Sequence, residues 1–372
     1  MTKPRKIGIL TGGGDCPGIN AVIRAVAKKA VLEHAFEVVG IEDGYEGLIH
    51  NRYRGLGANE VSGILTVGGT ILGTSNTSNP YSYAVSRNAA GEVVFADVSG
   101  TVKDNVQGLG LDALVCIGGD GTLGIAARLM KDGIPVVGVP KTIDNDLRGT
   151  ERTFGFDTAC AIATEAIDRV HTTAQSHHRI MIVEVMGRRA GWIALYSGVA
   201  GGGDVILIPE IPYDLAAIGA KIEERRADGK RFSIVVIAEG AKPVGGDVVV
   251  KRIVIDSSDP VRLGGVGFVL GSELERLTGN ETRTVVLGHL QRGGSPTAYD
   301  RVLATQLGAE AVNLIVRGEF GRMAAVRGGE ITSCPLETVS GGPRLIPLDH
   351  PLIAAARGLG TSFGDIIGRH NT

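Results

Sequence analysis

Pro140-Lys141-Thr142-Ile143-Asp144-Asn145-Asp146 follows an apolar, β-branched run at 134–139. The length and composition of that run predict a short buried strand. A second run of the same kind, 111–117, leads into Gly118-Gly119-Asp120-Gly121-Thr122. In an open parallel sheet, residues just past the strand ends collect along one rim, where ligands bind. Asp120, Asp144 and Asp146 are therefore expected to converge there with a glycine-rich turn and a hydroxyl. Carboxylates beside glycines that let a backbone approach phosphate suit metal-assisted phosphoryl transfer.

The same alternation extends in both directions. Residues 6–11 read as a buried strand, Gly12 to Gly18 as a turn and 19–31 as a helix with apolar residues at helical spacing. Strand, glycine turn and helix N-terminus make an anion site, because free amides and the helix dipole point at the ligand. Taken alone, the turn could equally be a tight structural loop. No GxxxxGK[ST] occurs, which excludes a P-loop NTPase. Further strands are expected at 36–41, 180–185, 205–209, 232–238 and 284–287, and helices at 122–130, 157–173, 218–227, 273–277 and 300–317. Strands alternating with helices predict a doubly wound α/β protein. Residues 81–101 read as a solvated surface insertion and 241–265 as a hairpin, while the Gly/Pro-rich tail beyond 320 has no assignable role.

Composition narrows the class. A chain of 372 residues is about two domains' worth. With 43% hydrophobic and 21% charged residues it reads as an ordinary soluble protein. The net charge of −2 exerts no pull toward nucleic acid or a membrane surface. Cys16, Cys116, Cys160 and Cys334 lie far apart with no CxxC, against a zinc site or disulfide scaffold and for a reducing compartment. No apolar run approaches the roughly 18 residues a membrane span needs, and the basic N-terminus leads into a strand, not a signal-peptide core. A cytoplasmic protein is expected. His177 and His178, adjacent on an expected extended segment, would point apart and bind no metal. Gly119-x-Gly121-x-x-Gly124 formally matches a dinucleotide fingerprint, but Asp120 within that turn would repel a pyrophosphate unless a cation intervened.

GGDGT at 118–122, PKTIDND at 140–146, MGR at 186–188 and GHLQRGGSP at 288–296, with Asp43-Gly44-Tyr45-Glu46-Gly47-Leu48, closely resemble the phosphofructokinase family. The likeness runs in order from the first strand to about residue 310. It implies two doubly wound, Rossmann-like domains with the active site in the cleft between them. Residues 1–155 plus 291–341 would bind ATP and Mg²⁺, and 156–290 plus 342–372 fructose 6-phosphate. The implied reaction is phosphoryl transfer from ATP to the sugar's 1-hydroxyl, giving fructose 1,6-bisphosphate in glycolysis. Asp144 is the candidate general base. Asp120 and Asp146 would hold Mg²⁺, and Thr142 and Arg188 would stabilise the transferring phosphoryl group. Gly14, Tyr45, Gly119, Gly121, Thr122 and Lys141 would line the donor. Arg179, Arg283, His289 and Arg292 would hold the 6-phosphate, with Met186, Gly187 and Glu239 on the sugar. In the family the residues matching Arg179 and Arg283 come from a neighbouring subunit, implying a homodimer or homotetramer.

The donor turns on three positions. Asn76 stands where the family usually has an arginine that bridges the donor and acceptor phosphates. Pyrophosphate-using relatives carry an Asp at position 121, and Gly121 leaves that space open for a nucleotide. Lys141 is the residue of pyrophosphate users, where short bacterial ATP enzymes have glycine. ATP is expected, with Lys141 supplying the charge Asn76 lacks; the alternative is a pyrophosphate-dependent or dual-donor enzyme. Of the family's effector cations Arg24, Lys28 and Lys230 are present, but Ala58 and His171 replace arginines, so regulation by ADP or phosphoenolpyruvate is expected to be weak or absent.

Overall fold

Lys6–Thr11 and Ala113–Gly118 lie side by side at the centre of a seven-stranded sheet. The order is Glu330–Pro335, Arg322–Arg327, Val136–Pro140, Ala113–Gly118, Lys6–Thr11, Glu37–Ile41 and Tyr53–Gly55. Neighbours pair in parallel except for the outermost strand at each edge, which is antiparallel. Every residue of Ala113–Gly118 and Val136–Pro140 is buried. Strands covered on both faces read as continuous apolar runs, which is why these two were visible in the sequence.

The computed structural model describes residues 5–253 and 261–365, and among these the chain divides into two compact units. The first holds 5–157 and 292–343, including the seven-stranded sheet; the second holds 158–253, 261–291 and 344–365. In the first, helix Ile19–His34 packs on Ala298–Arg317. Its entry residue Gly18 has φ 104°, a left-handed conformation that glycine adopts without penalty. Helix Asp120–Lys131 follows the strand Ala113–Gly118.

The second unit carries a four-stranded, all-parallel sheet in the order Thr282–Val286, Ile180–Val185, Ser233–Ala238, Val205–Leu207. Helix Leu215–Ala227 starts at Asp214, whose carboxylate accepts the amides of Ala216 and Ala217. Helix Val266–Thr278 is reached from the sheet itself: buried Glu184 accepts the amides of Gly265 and Gly267, the latter at 2.8 Å. A carboxylate facing a helix N-terminus satisfies amides that have no partner inside the helix.

Several expectations are corrected. Helix Phe156–His177 runs through the first of the adjacent histidines, and His178 closes it at φ 57°; neither lies on an extended segment. The short expected helix at 273–277 is the end of Val266–Thr278. The tail is structured: Arg322–Arg327 and Glu330–Pro335 pair as a hairpin and extend the large sheet. Its turn, Gly328-Gly329, has φ 59° and 79°, the conformation that two-residue hairpin loops require. Beyond it lies helix Pro351–Gly358. In the 241–265 insertion Val250–Ile253 pairs antiparallel with Val261–Leu263, and 254–260 fall outside the described residues. Among the described residues no helix is long and apolar enough to cross a membrane.

Candidate active site

The two glycine turns of the first unit are built around one threonine. Thr122 is buried, and a Cβ on Gly12 would stand 2.6 Å from its hydroxyl oxygen; one on Gly118 would overlap the same side chain. From below, Tyr45 donates its hydroxyl to the Thr122 carbonyl at 2.8 Å. Tyr45 is only 4% exposed and braces the turn that the donor is expected to meet. Gly119 precedes helix Asp120–Lys131, and Asp120, the first helical residue, is exposed and accepts the Gly121 amide at 2.8 Å. Beyond its chain neighbours and its own helix backbone, nothing lies within 4 Å of where a Cβ on Gly121 would be.

The turn after Val136–Pro140 is held by its own polar side chains. The Lys141 amide donates to the Gly118 carbonyl at 2.9 Å, which sets the two turns side by side. Thr142 Oγ1 accepts the Asp144 amide at 3.1 Å and donates to Asp146 Oδ1 at 3.3 Å. Buried Asn145 takes φ 51° and accepts the Thr153 amide, while the Thr153 hydroxyl donates to the Thr142 carbonyl. Burial, followed by the charges of Asp144 and Asp120, pushes the Asp146 carboxyl up to about 7. Burial is the largest cause, and the like charges of Asp144 and Asp120 add to it by disfavouring the ionised form.

Two cations approach the first turn. Lys141 is 3% exposed and its Nζ donates to the Gly14 carbonyl. Burial pulls its pKa down, and Arg292 adds to that effect, while Cys16, Asp15 and Asp120 oppose it. Arg292 Nη1 donates to the Asp15 carbonyl at 3.1 Å, and lies 2.8 Å from where a Cβ on Gly14 would be. Gly14 thus makes room for Arg292, a place at the glycine turn that sequence reasoning did not give this arginine. Cys16, fully buried, has its thiol pushed up to about 12 by burial and is an inert packing group.

In the second unit the Met186 amide donates to Gln291 Oε1 at 3.3 Å, and Gly187 sits at φ 131°. The Glu239 amide donates to the Val185 carbonyl and that of Gly240 to the Gly187 carbonyl at 3.2 Å. A Cβ on Gly240 would overlap the Arg188 carbonyl, so the two strand-end turns interlock backbone to backbone. Gly240→Ala is expected to displace Arg188 and lower thermal stability by roughly 1–3 kcal/mol, the usual cost of overpacking; calorimetry and activity on one preparation check it. Arg179 makes a two-pronged ion pair with Glu281, Nε at 2.5 Å from Oε2, and Arg283 donates to the same carboxylate. The arginines, Arg179 foremost, hold the Glu281 carboxyl below its usual range. Glu281 was missed: it immediately precedes the strand Thr282–Val286, two residues before Arg283. His289 is exposed in the 3₁₀ turn Gly288–Arg292.

Parallel α/β units whose strand ends carry glycine turns, carboxylates and arginines define a protein of the phosphate-handling class. The family model for Phosphofructokinase matches residues 6–315, and the chain belongs to that family. ATP-dependent 6-phosphofructokinase 2 of Clostridium perfringens is 54% identical over 367 residues, which cover 98% of this chain and 100% of the relative. A protein of Amycolatopsis mediterranei named pyrophosphate–fructose 6-phosphate 1-phosphotransferase is 51% identical over 344 residues, 92% and 97% of the respective chains. Among solved structures, Pichia pastoris phosphofructokinase in the T-state superposes with a TM-score of 0.78 at 31% identity, over 91% of this chain and 36% of that one.

Proposed function

We propose that the chain transfers a phosphoryl group from ATP to the 1-hydroxyl of fructose 6-phosphate, giving fructose 1,6-bisphosphate, as a cytoplasmic glycolytic kinase. The observation that carries this reading is the carboxylate group Asp120, Asp144 and Asp146 beside turns whose glycines leave their backbone open. Asp144 accepts the hydroxyl proton as the sugar oxygen attacks. Asp120 and Asp146 would hold Mg²⁺. Among the described residues no set of three or more His, Cys, Asp or Glu forms a metal cage. Two carboxylates completed by phosphate oxygens and water are the set magnesium favours over a full protein cage, and a cation there would offset the like charges of Asp144 and Asp120 that, after burial, raise the Asp146 carboxyl. When bound, the ion neutralises charge on the donor phosphates.

Gly14, Tyr45, Gly119, Gly121 and Thr122 line the donor's phosphate path, and Lys141 adds positive charge beside it. Thr142 and Arg188 stabilise the moving phosphoryl group. Arg179, Arg283, His289 and Arg292 take the 6-phosphate, with Met186, Gly187 and Glu239 on the sugar. Arg179 and Arg283 act as a pair preset by Glu281, and serve a neighbouring subunit in a homodimer or homotetramer.

A second reading, with pyrophosphate as donor, is favoured by Lys141 at the glycine turn and by the name of the Amycolatopsis relative. Initial rates with fructose 6-phosphate and either ATP or pyrophosphate separate the two. Product from ATP supports the first reading, and product from pyrophosphate alone overturns it. Lys141 is further proposed to supply the charge that Asn76 lacks. Lys141→Gly is then expected to lower kcat about 10²- to 10³-fold, the scale of losing one donor to the transition state, and adding Asn76→Arg to recover part of it. No recovery in the double variant would refute that compensation.

A further inference from the structure

The loop 74–79, which carries Asn76, is joined to the glycine turn along its inner edge. The Ser75 carbonyl accepts the Gly13 amide at 3.1 Å, and Thr74 Oγ1 donates to the Gly13 carbonyl at 2.6 Å. Its outer edge is held by one carboxylate. Buried Ser78 donates to Glu46 Oε2 at 2.6 Å and also lies 2.7 Å from Ser75 Oγ. The other oxygen of Glu46 accepts the Tyr83 hydroxyl at 2.9 Å, with His50 Nε2 3.2 Å away. Burial alone would raise the Glu46 carboxyl, but the Ser78 and Tyr83 hydroxyls, with the charges of His50 and Arg52, together hold it below its ordinary value.

Tyr83 opens the hairpin Tyr83–Arg87 and Val93–Ala96, the segment that reads in the sequence as solvated surface. That hairpin has a second anchor. Tyr81 donates its hydroxyl to Asp132 at 2.5 Å and lies under the Arg128 guanidinium, 3.5 Å from ring centre to carbon. Arg128 belongs to Asp120–Lys131, the helix that begins at Asp120. The insertion therefore ties the helix carrying one acid to the loop that orders the first glycine turn.

We propose that Glu46 and Tyr83 are positioning residues for the phosphoryl donor: the chain Tyr83–Glu46–Ser78–Ser75 fixes loop 74–79, and through it Gly13 and Gly14. The proposal rests on the donor reading given above. It makes the hairpin a working part of the donor site.

The test combines steady-state kinetics with amide hydrogen exchange on full-length Glu46→Ala, Glu46→Gln and Tyr83→Phe proteins. Glu46→Ala is expected to raise the donor KM roughly tenfold, the scale of losing hydrogen bonds to a charged group, with kcat and the fructose 6-phosphate KM within about twofold. Glu46→Gln, which still accepts a hydroxyl, recovers part of the loss, and Tyr83→Phe shifts the donor KM in the same direction. Amides of residues 75–79 exchange faster in Glu46→Ala, while those of Ala113–Gly118 do not. Unchanged exchange at 75–79, or faster exchange with an unchanged donor KM, overturns the proposal. So does an equal rise in both KM values. A parent protein that turns over with neither donor sinks the functional reading as well, which separates the two failures.

Discussion

Replacing Asp144 with serine is expected to lower kcat by roughly 10²- to 10⁴-fold, the range contributed by a positioned general base. The local structure is prepared to tolerate the change. The Asp144 amide, not its carboxylate, is what Thr142 Oγ1 holds, and Asn145 and Thr153 fix the following turn. The variant should therefore fold and bind both substrates while losing only the group that takes the proton. Serine can accept a hydrogen bond, but it cannot carry the proton away at neutral pH. A kcat within tenfold of the parent would remove Asp144 from the chemistry.

Gly121→Asp is expected to raise the KM for ATP and leave that for pyrophosphate far less affected. The position is suited to a clean test, since nothing beyond its chain neighbours and its own helix backbone lies within 4 Å of the added Cβ and the backbone there is not left-handed. The effect then arises from charge and space in the donor path, not from a damaged turn. A carboxylate about 4 Å from a phosphate costs between about 1 kcal/mol in water and about 4 kcal/mol near a protein surface. At 1.4 kcal/mol per decade that is roughly 5- to 700-fold in ATP affinity. Competition between ATP and pyrophosphate in one assay reads the change directly, and an unchanged ATP KM would mean that the nucleotide does not pass position 121.

Much of the architecture was legible because the strands that position the site are buried on both faces. Such strands leave apolar runs that end abruptly at glycine, and the runs at 111–117 and 134–139 correspond to Ala113–Gly118 and Val136–Pro140. The electrostatic link among Asp120, Asp144 and Asp146 follows from the same geometry, each acid lying just past one of two neighbouring strand ends. Other features depend on contacts between residues distant in the chain. Tyr45 is buried because its hydroxyl has a carbonyl to reach 77 residues away, and Arg292 comes to Asp15 across 277 residues. No local pattern announces either. The hairpin from Arg322 to Pro335 was readable, since Gly328-Gly329 between two strand-like runs is a standard hairpin signal. The overall glycine and proline content of the tail masked it. Glu46 passed unnoticed because a glutamate on a short surface helix is ordinarily a solvated charge; only the folded chain brings Ser78 and Tyr83 to it.

Three acidic side chains carry the chemistry proposed for this chain when substrate is present. A crystal structure with Mg²⁺, a non-hydrolysable ATP analogue and fructose 6-phosphate measures this directly. The account predicts an Asp144 oxygen about 2.6–3.2 Å from the sugar 1-hydroxyl, with Asp120 and Asp146 on the magnesium ion, bonded directly or through its water. An Asp144 carboxylate turned away from the sugar, with the ion held elsewhere, would contradict it.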